Sequence, residues 1–480
     1  MKTKLKKIHS LAAVAAVIGT QFHSSHAYAA EISNEDLQKL IQHVDELEQK
    51  VKILERNREV DKETSDAAAA QFKKEAPQIS IGQNGFGFKS ADGNFGLKLE
   101  GVLQLDSRTF FNDHGIQGND GFILRRVRPI IEGTVYRDFD FLFVPDFGGS
   151  TVQIFDAYLN YRYDPALQLR AGKFKVPVGL EQLQSDAWLP FNERALPTDL
   201  VPNRDLGVQL HGAPFGGVVN YAAGIFNGVG DARNSANSDF DNNKEFAGRL
   251  FFQPFRTTKI NALKGLGFGA GGSYGSLSSP SATGLPNTTG GTLPGYTTDG
   301  QQQFFAYNPT TGTVLADGEH WRISPQGYYY YGPFGLLGEY AISNQRVVKG
   351  AAAKRLENTA WQVSASWVLT GEDNTYAGIV PERPFDPREG KWGAWQLAAR
   401  YAQLDIDKNA FPTFSNPLTS ANEAKAWSVG LNWWLNKNVR VLTSFSRTTF
   451  RGGGGTGTTA PAIVTRQPEN TFFTRIQLAF

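Results

Sequence analysis

Arg126 and Arg128 stand two residues apart in a segment of apolar and β-branched residues, Leu124 to Val135. Guanidinium groups present planar, paired donors, so arginines aligned on one wet face of a strand suit an anion stripped of part of its water. Strict alternation puts Leu124, Arg126, Arg128 and Glu132 on one side. Val127, Ile131 and Val135 fall on the other, together with Arg125. Arg125 would then face apolar surroundings unless a bulge or a rim position rescues it. A role as interfacial anchor is the alternative for Arg125 and Arg128. Other chemistry has little support. Beyond the leader the histidines are His43, His114, His211 and His320, none in a nucleophile arrangement, and Gly-x-Ser-x-Gly is absent. His211 reads as a strand-end residue. Metal-ligand spacings and phosphate-cradling loops do not occur, so no catalysis, metal or cofactor is expected.

The elements that must position these arginines are clearest at the carboxy-terminus. Phe472, Thr474, Ile476, Leu478 and Phe480 alternate with Phe473, Arg475, Gln477 and Ala479. One face suits hydrocarbon and the other mostly suits water, the dyad pattern of a closed barrel in a bilayer. A final strand ending on an aromatic residue also suits recognition by the barrel assembly machinery, here through Phe480.

The amino-terminus reads as a secretory leader. Lys2, Lys4, Lys6 and Lys7 precede a short apolar core, Leu11 to Gly19, and Ala27-Tyr-Ala29 supplies small residues for cleavage, giving a leader over 1–29. Leaving it off removes four lysines and no carboxylate, so the formal charge moves from +2 to −2. Bulk charge therefore gives no reason to expect nucleic-acid binding, and any anion preference must be local. The chain has no cysteine, so disulfides cannot stabilise it; a barrel closed without free strand edges can.

Leu37, Leu40, Val44, Leu47, Val51 and Leu54 repeat at spacings of three and four, an a/d seam amid polar residues. This predicts a short periplasmic coiled-coil helix over 30–62, able to hold three barrels together, with a single amphipathic helix as the alternative. Residues 63–78 read as a linker, and 79–480 as the barrel. There the period becomes two. Leu97, Leu99, Leu103 and Leu105 alternate with Lys98, Glu100, Gln104 and Asp106, and Phe155, Leu159, Tyr161 and Tyr163 alternate with Asp156, Tyr158, Asn160 and Arg162. Similar dyads surround Trp361, Trp395 and Trp427. Segments of about ten residues match tilted membrane strands, and Tyr and Trp near their ends match interfacial girdles. Short connectors such as Leu435-Asn-Lys-Asn438 contrast with long Gly-, Ser- and Thr-rich ones at 231–244, 276–318 and 452–467. The fold class is thus an all-β transmembrane barrel of about sixteen antiparallel strands, a size that encloses an aqueous lumen.

Arg170-Ala-Gly-Lys-Phe-Lys-Val-Pro-Val-Gly-Leu-Glu181 resembles a signature of the phosphate-selective porin O and P family. Supporting matches include Leu124-Arg-Arg126, Phe155-Asp-Ala157, Phe191-Asn-Glu-Arg194, Arg204-Asp-Leu-Gly-Val-Gln209 and the terminal Arg475-Ile-Gln-Leu-Ala-Phe480. The resemblance implies a trimeric outer-membrane porin with an inward-folded third loop, passing phosphate, pyrophosphate or polyphosphate. It further implies constriction roles for Arg125, Arg126, Asp156 and Arg194. Gly179 to Arg204 is the candidate for the narrowing loop, and Arg128 and Arg204 join the pore-lining candidates. Arg194 and Arg204 have a rival role, tying that loop to wall carboxylates. One departure is plain: Gln182 and Ala187 occupy positions where the family carries lysines. A weakly selective general porin, or a structural or adhesive barrel, remain the alternatives.

Overall fold

The computed structural model describes residues 33–111, 118–149, 151–237, 239, 241–278, 293–308, 314–454 and 465–480. The leader lies outside these residues. The chain divides into two units, 1–74 and 75–480.

In the first unit a single helix, α1, spans Asn34–Glu75 with every residue exposed. It continues through most of the segment expected to be a linker. The reason is local: Ala67 to Ala70 are strong helix formers, and Lys73 and Lys74 sit favourably in the last turn.

Among the described residues of the second unit, sixteen strands form the wall, each pairing antiparallel with its neighbours in the wall. These are β1 (Gly96–Phe111), β2 (Gly121–Val135), β3 (Phe139–Asp146), β4 (Gln153–Asp164), β5 (Leu167–Lys175) and β6 (Arg204–Gly212). β7 (Val219–Phe226), β8 (Glu245–Phe252), β9 (Leu266–Ser278), β10 (Leu315–Tyr331) and β11 (Phe334–Lys349) follow. β12 (Ala352–Val368), β13 (Ala394–Asp405), β14 (Ala421–Trp434), β15 (Val439–Gly452) and β16 (Glu469–Ala479) complete the wall. β16 pairs with β1, from Asn470 opposite Phe111 to Ala479 opposite Val102, and the sheet closes. A preceding hairpin, Gln78–Gly82 with Gly85–Lys89, pairs with the start of β1 where β16 has ended. There the Phe86 ring meets that of Phe480 edge-on at 5.9 Å.

The faces follow the dyads. On β16, Phe472, Ile476 and Leu478 are exposed outward, while Phe473, Arg475 and Gln477 are buried inside. On β12 to β14 the outward row is Val363, Trp367, Leu397, Tyr401, Trp427 and Leu431. Trp395 and Trp433 stack at 5.1 Å near one rim, as an interfacial girdle requires.

The interior is filled by chain as well as side chains. Residues 176–203, between β5 and β6, fold inward and include the turn Leu180–Leu183 and the 3-10 turn Leu196–Leu200. Nearly all of this loop is buried. Its path is set partly by a missing side chain: a Cβ on Gly271 of β9 would lie 2.7 Å from Val178 Cα, so loop and wall meet backbone to backbone. A second segment, 293–308, part of the long connector after β9, also turns inward, with a small ladder of Tyr296–Thr297 against Gln303–Phe305. A third enters from the connector after β12. Tyr376 donates its hydroxyl to Leu180 O at 2.6 Å and accepts from Gln184 Nε2 through its carbonyl at 2.8 Å.

Candidate functional site

Two bulges build the site. β1 and β2 pair until Gln104 faces Arg126, and the next pair is Leu105 with Leu124. Arg125 is the extra residue, and the alternation changes phase there. Arg125 and Arg126 both turn inward as a result. Leu124, expected beside Arg126, is instead 53% exposed on the outer face. The bulge is the rescue that Arg125 needed. Between β3 and β4, Val144 pairs with Asp156 but Pro145 pairs with Ile154, leaving Phe155 as the extra residue. Phe155 was expected outside with Leu159. Its ring instead lies under the guanidiniums of Arg128 at 4.2 Å and Arg204 at 4.5 Å.

Two carboxylates from the inward loop gather the arginines. Asp186 takes ion pairs from Arg128 and Arg194, and from Arg126 Nε at 3.3 Å. Glu193 takes both arms of Arg125, at 2.6 and 3.0 Å, with Arg108 at 3.2 Å, Arg475 at 3.3 Å and Arg126 at 3.9 Å. Burial would push both loop carboxyls up, but the surrounding guanidiniums outweigh it and hold them below the ordinary range. Wall carboxylates complete the network. Asp146 accepts from Arg128 Nε at 2.6 Å, and Asp106 clasps Arg475 at 2.6 and 2.7 Å. Asp156 pairs with Arg204 at 3.1 Å. Arg194 also donates to the carbonyls of Glu181 at 3.0 Å and Gln184 at 2.8 Å.

The six residues expected from sequence therefore fall into one region. Arg125, Arg126, Arg128 and Arg194 converge on Asp186 and Glu193, while Arg204 and Asp156 meet them across Phe155. Four of the five arginines have side chains no more than 12% exposed, and Arg125 is 28% exposed. The network joins seven guanidiniums (Arg108, Arg125, Arg126, Arg128, Arg194, Arg204, Arg475) to five carboxylates (Asp106, Asp146, Asp156, Asp186, Glu193). It both anchors the loop and leaves an excess of positive charge beside it. Among the described residues no cluster of His, Asp and Glu could hold a metal.

Comparison with known proteins gives this architecture its context. The family described as phosphate-selective porin O and P matches residues 97–453, most of the barrel. The chain belongs to that family. Porin O of Pseudomonas aeruginosa is 25% identical over 383 residues, covering 76% of this chain and 85% of the relative. Among solved structures, the outer-membrane channel DcaP of Acinetobacter baumannii aligns with a TM-score of 0.50 at 12% identity, over 82% of this chain and 99% of DcaP. That likeness is one of fold.

The porin is thus an outer-membrane channel, not an enzyme. Its inward loop is the segment Gly179 to Arg204 singled out by sequence, begun three residues earlier at Val176. Sequence reasoning missed the loop carboxylates Asp186 and Glu193, whose partners lie on distant strands. It also missed Arg170 on β5, Lys175 at its end and Arg249 on β8, which face the lumen elsewhere. A signal for Arg170 existed: Gln168 and Arg170 alternate with the exposed Leu167 and Leu169.

Proposed function

We propose that this porin is a diffusion channel with anion preference, passing phosphate, pyrophosphate or polyphosphate beside the arginines of the inward loop. The observation that carries the reading is the excess of guanidinium over carboxylate in the network around Asp186 and Glu193, with Arg125 the most accessible of the group. A partly dehydrated anion entering there exchanges water for paired donors, and a charge pair near a protein surface is worth about 4 kcal/mol at 4 Å. Arg126, Arg128, Arg194, Arg204 and Asp156 set the field and hold the loop, while Arg125 offers the free edge. Several weak cationic positions in sequence let an anion move on instead of trapping it.

The pairing of Arg126, Arg128, Arg194 and Arg204 with carboxylates favours a second reading, a weakly selective porin for small solutes. Single-channel recording in chloride with added phosphate separates the two. The anion reading expects chloride current that saturates and is blocked by submillimolar phosphate, with block relieved in Arg125→Gln. Linear current indifferent to phosphate and to the substitution would leave a general porin.

Assembly is part of the same proposal. Three copies would pack the exposed seam of α1, with Lys50 and Glu55 flanking it at positions that pair between parallel helices. The outward Leu, Val and Trp rows would meet outer-membrane lipid, and the strand ending at Phe480 would be the element read by the barrel assembly machinery.

A further inference from the structure

The inward loop bonds or packs against β1, β2 and every strand from β9 to β16, through contacts such as Arg126–Asp186, Gln326–Val178, Arg400–Glu181 and Arg440–Leu189. Segment 293–308 adds to that side through Asp299, which accepts from Arg400 and Ser428. The wall from β3 to β8 is left with a cavity of about 420 Å³. Such a volume holds a small organic molecule.

Three cations line it: Arg170, Lys175 and Arg249. None has a carboxylate at ion-pair distance among the described residues, in contrast to the arginines of the anchoring network. Arg249 Nε donates to Gln326 Oε1 at 2.8 Å, and Lys175 Nζ to the carbonyls of Gln184 at 2.8 Å and Leu183 at 3.4 Å. Arg170 Nε is buried without a hydrogen-bond partner, and its guanidinium lies over the Tyr158 ring, 4.2 Å from its centroid. The one carboxylate in the lining, Asp156, is held by Arg204. No carboxylate in the lining is left to pair with these three side chains.

The remaining wall is unusual for a passage meant only for inorganic ions. Leu142, Pro177 and Leu183 border the cavity with the rings of Tyr158, Phe174 and Tyr221. Apolar and aromatic surface gives nothing to a hydrated inorganic anion, but it gains from covering a carbon skeleton. We infer that this cavity is a second anion subsite, which takes an aromatic dicarboxylate, its carboxylates on Arg170, Lys175 and Arg249 and its ring against the tyrosines. The inference rests on the channel reading above and names a further substrate class for it.

The test is block of chloride current through the full-length porin in planar bilayers by three probes. Benzene-1,3-dicarboxylate is compared with pentanedioate, which spaces its carboxylates by the same carbon count but lacks a ring, and with inorganic phosphate. The aromatic probe should block at about one-tenth the concentration of pentanedioate, a difference of about 1.4 kcal/mol. Arg170→Gln and Arg249→Gln, on separate strands, should each raise the half-blocking concentration of the aromatic probe about tenfold (again about 1.4 kcal/mol), with Arg170→Lys recovering part of it. Insertion of conducting channels certifies that each variant folds, and either variant alone decides the matter. Equal block by the two dicarboxylates, or aromatic block untouched by both substitutions, would overturn the inference. So would loss of phosphate block alone. A wild-type current with no anion preference would instead sink the channel reading beneath it.

Discussion

Asp186→Asn is the most revealing single change in this barrel. The carboxylate lies on the inward loop and is ringed by Arg126, Arg128 and Arg194, all nearly excluded from water. An amide of the same shape keeps the packing but leaves those guanidiniums short of a counter-charge. Breaking a buried pair by removing one partner costs about 3–5 kcal/mol, because the remaining charge stays desolvated. The barrel wall is closed by its own ladders, so this cost falls on docking of the loop. At about 4 kcal/mol the undocked population rises roughly a thousandfold. Single-channel recordings should therefore show excess current noise and brief excursions to higher conductance, and the reversal potential in a chloride gradient should shift toward stronger anion preference. Pairing the change with Arg194→Gln removes one unmatched cation and should quieten the noise. If Asp186→Asn matches wild type in noise, conductance and reversal potential, the loop is held by packing alone and the electrostatic account of it fails.

Gly271→Val would drive a side chain into the backbone of Val178, and overpacking of this kind costs about 1–3 kcal/mol; altered conductance without loss of barrel assembly is the expected outcome, read by recording and by heat-modified gel mobility. Asp299→Asn removes the acceptor shared by Arg400 at 2.8 Å and Ser428 at 2.7 Å, and should expose 293–308 to externally added protease on whole cells while wild type resists. Leu47→Glu with Val51→Glu puts charges in the α1 seam and should lower the temperature at which oligomers dissociate on gels, leaving unitary conductance unchanged; an unmoved transition would remove α1 from assembly.

What was legible in this sequence was periodic. A dyad on β16, or around Trp361, Trp395 and Trp427, states which residues meet lipid, because a strand without a bulge has no freedom to do otherwise. The count of strands and the identity of the narrowing loop followed from the same regularity and from resemblance. The failures share one cause. A bulge adds one residue and resets the phase, and nothing in Leu124-Arg-Arg126 or Ile154-Phe-Asp156 announces it. Arg125 and Phe155 were therefore assigned by alternation to the face opposite the one they occupy. The helix ran past 62 for a gentler reason, since polar helix formers without a seam look like linker.

Partnership is a harder quantity than orientation. Alternation contained the signal that turns Arg170 inward with Gln168, and the exposed Phe246 and Leu250 imply the same for Arg249. It could not say that Glu193 would be met by Arg475 from the far end of the chain, or that no carboxylate among the described residues would pair with Arg170. A buried arginine and a substrate-binding arginine are the same residue in the same kind of strand. They differ only in whether the fold brings a carboxylate to it. In this barrel the inward loop supplies that carboxylate to the wall it covers, through Asp186 and Glu193, and spends its charge on its own attachment. The wall it does not cover keeps cations that no carboxylate among the described residues pairs with, so that wall is where solute chemistry and wall chemistry should be most tightly coupled. Substitutions of Arg170 on β5 and Arg249 on β8 should accordingly move selectivity with little effect on the loop, whereas substitutions of Arg126 and Arg128 on β2, both paired with Asp186, should loosen the loop first.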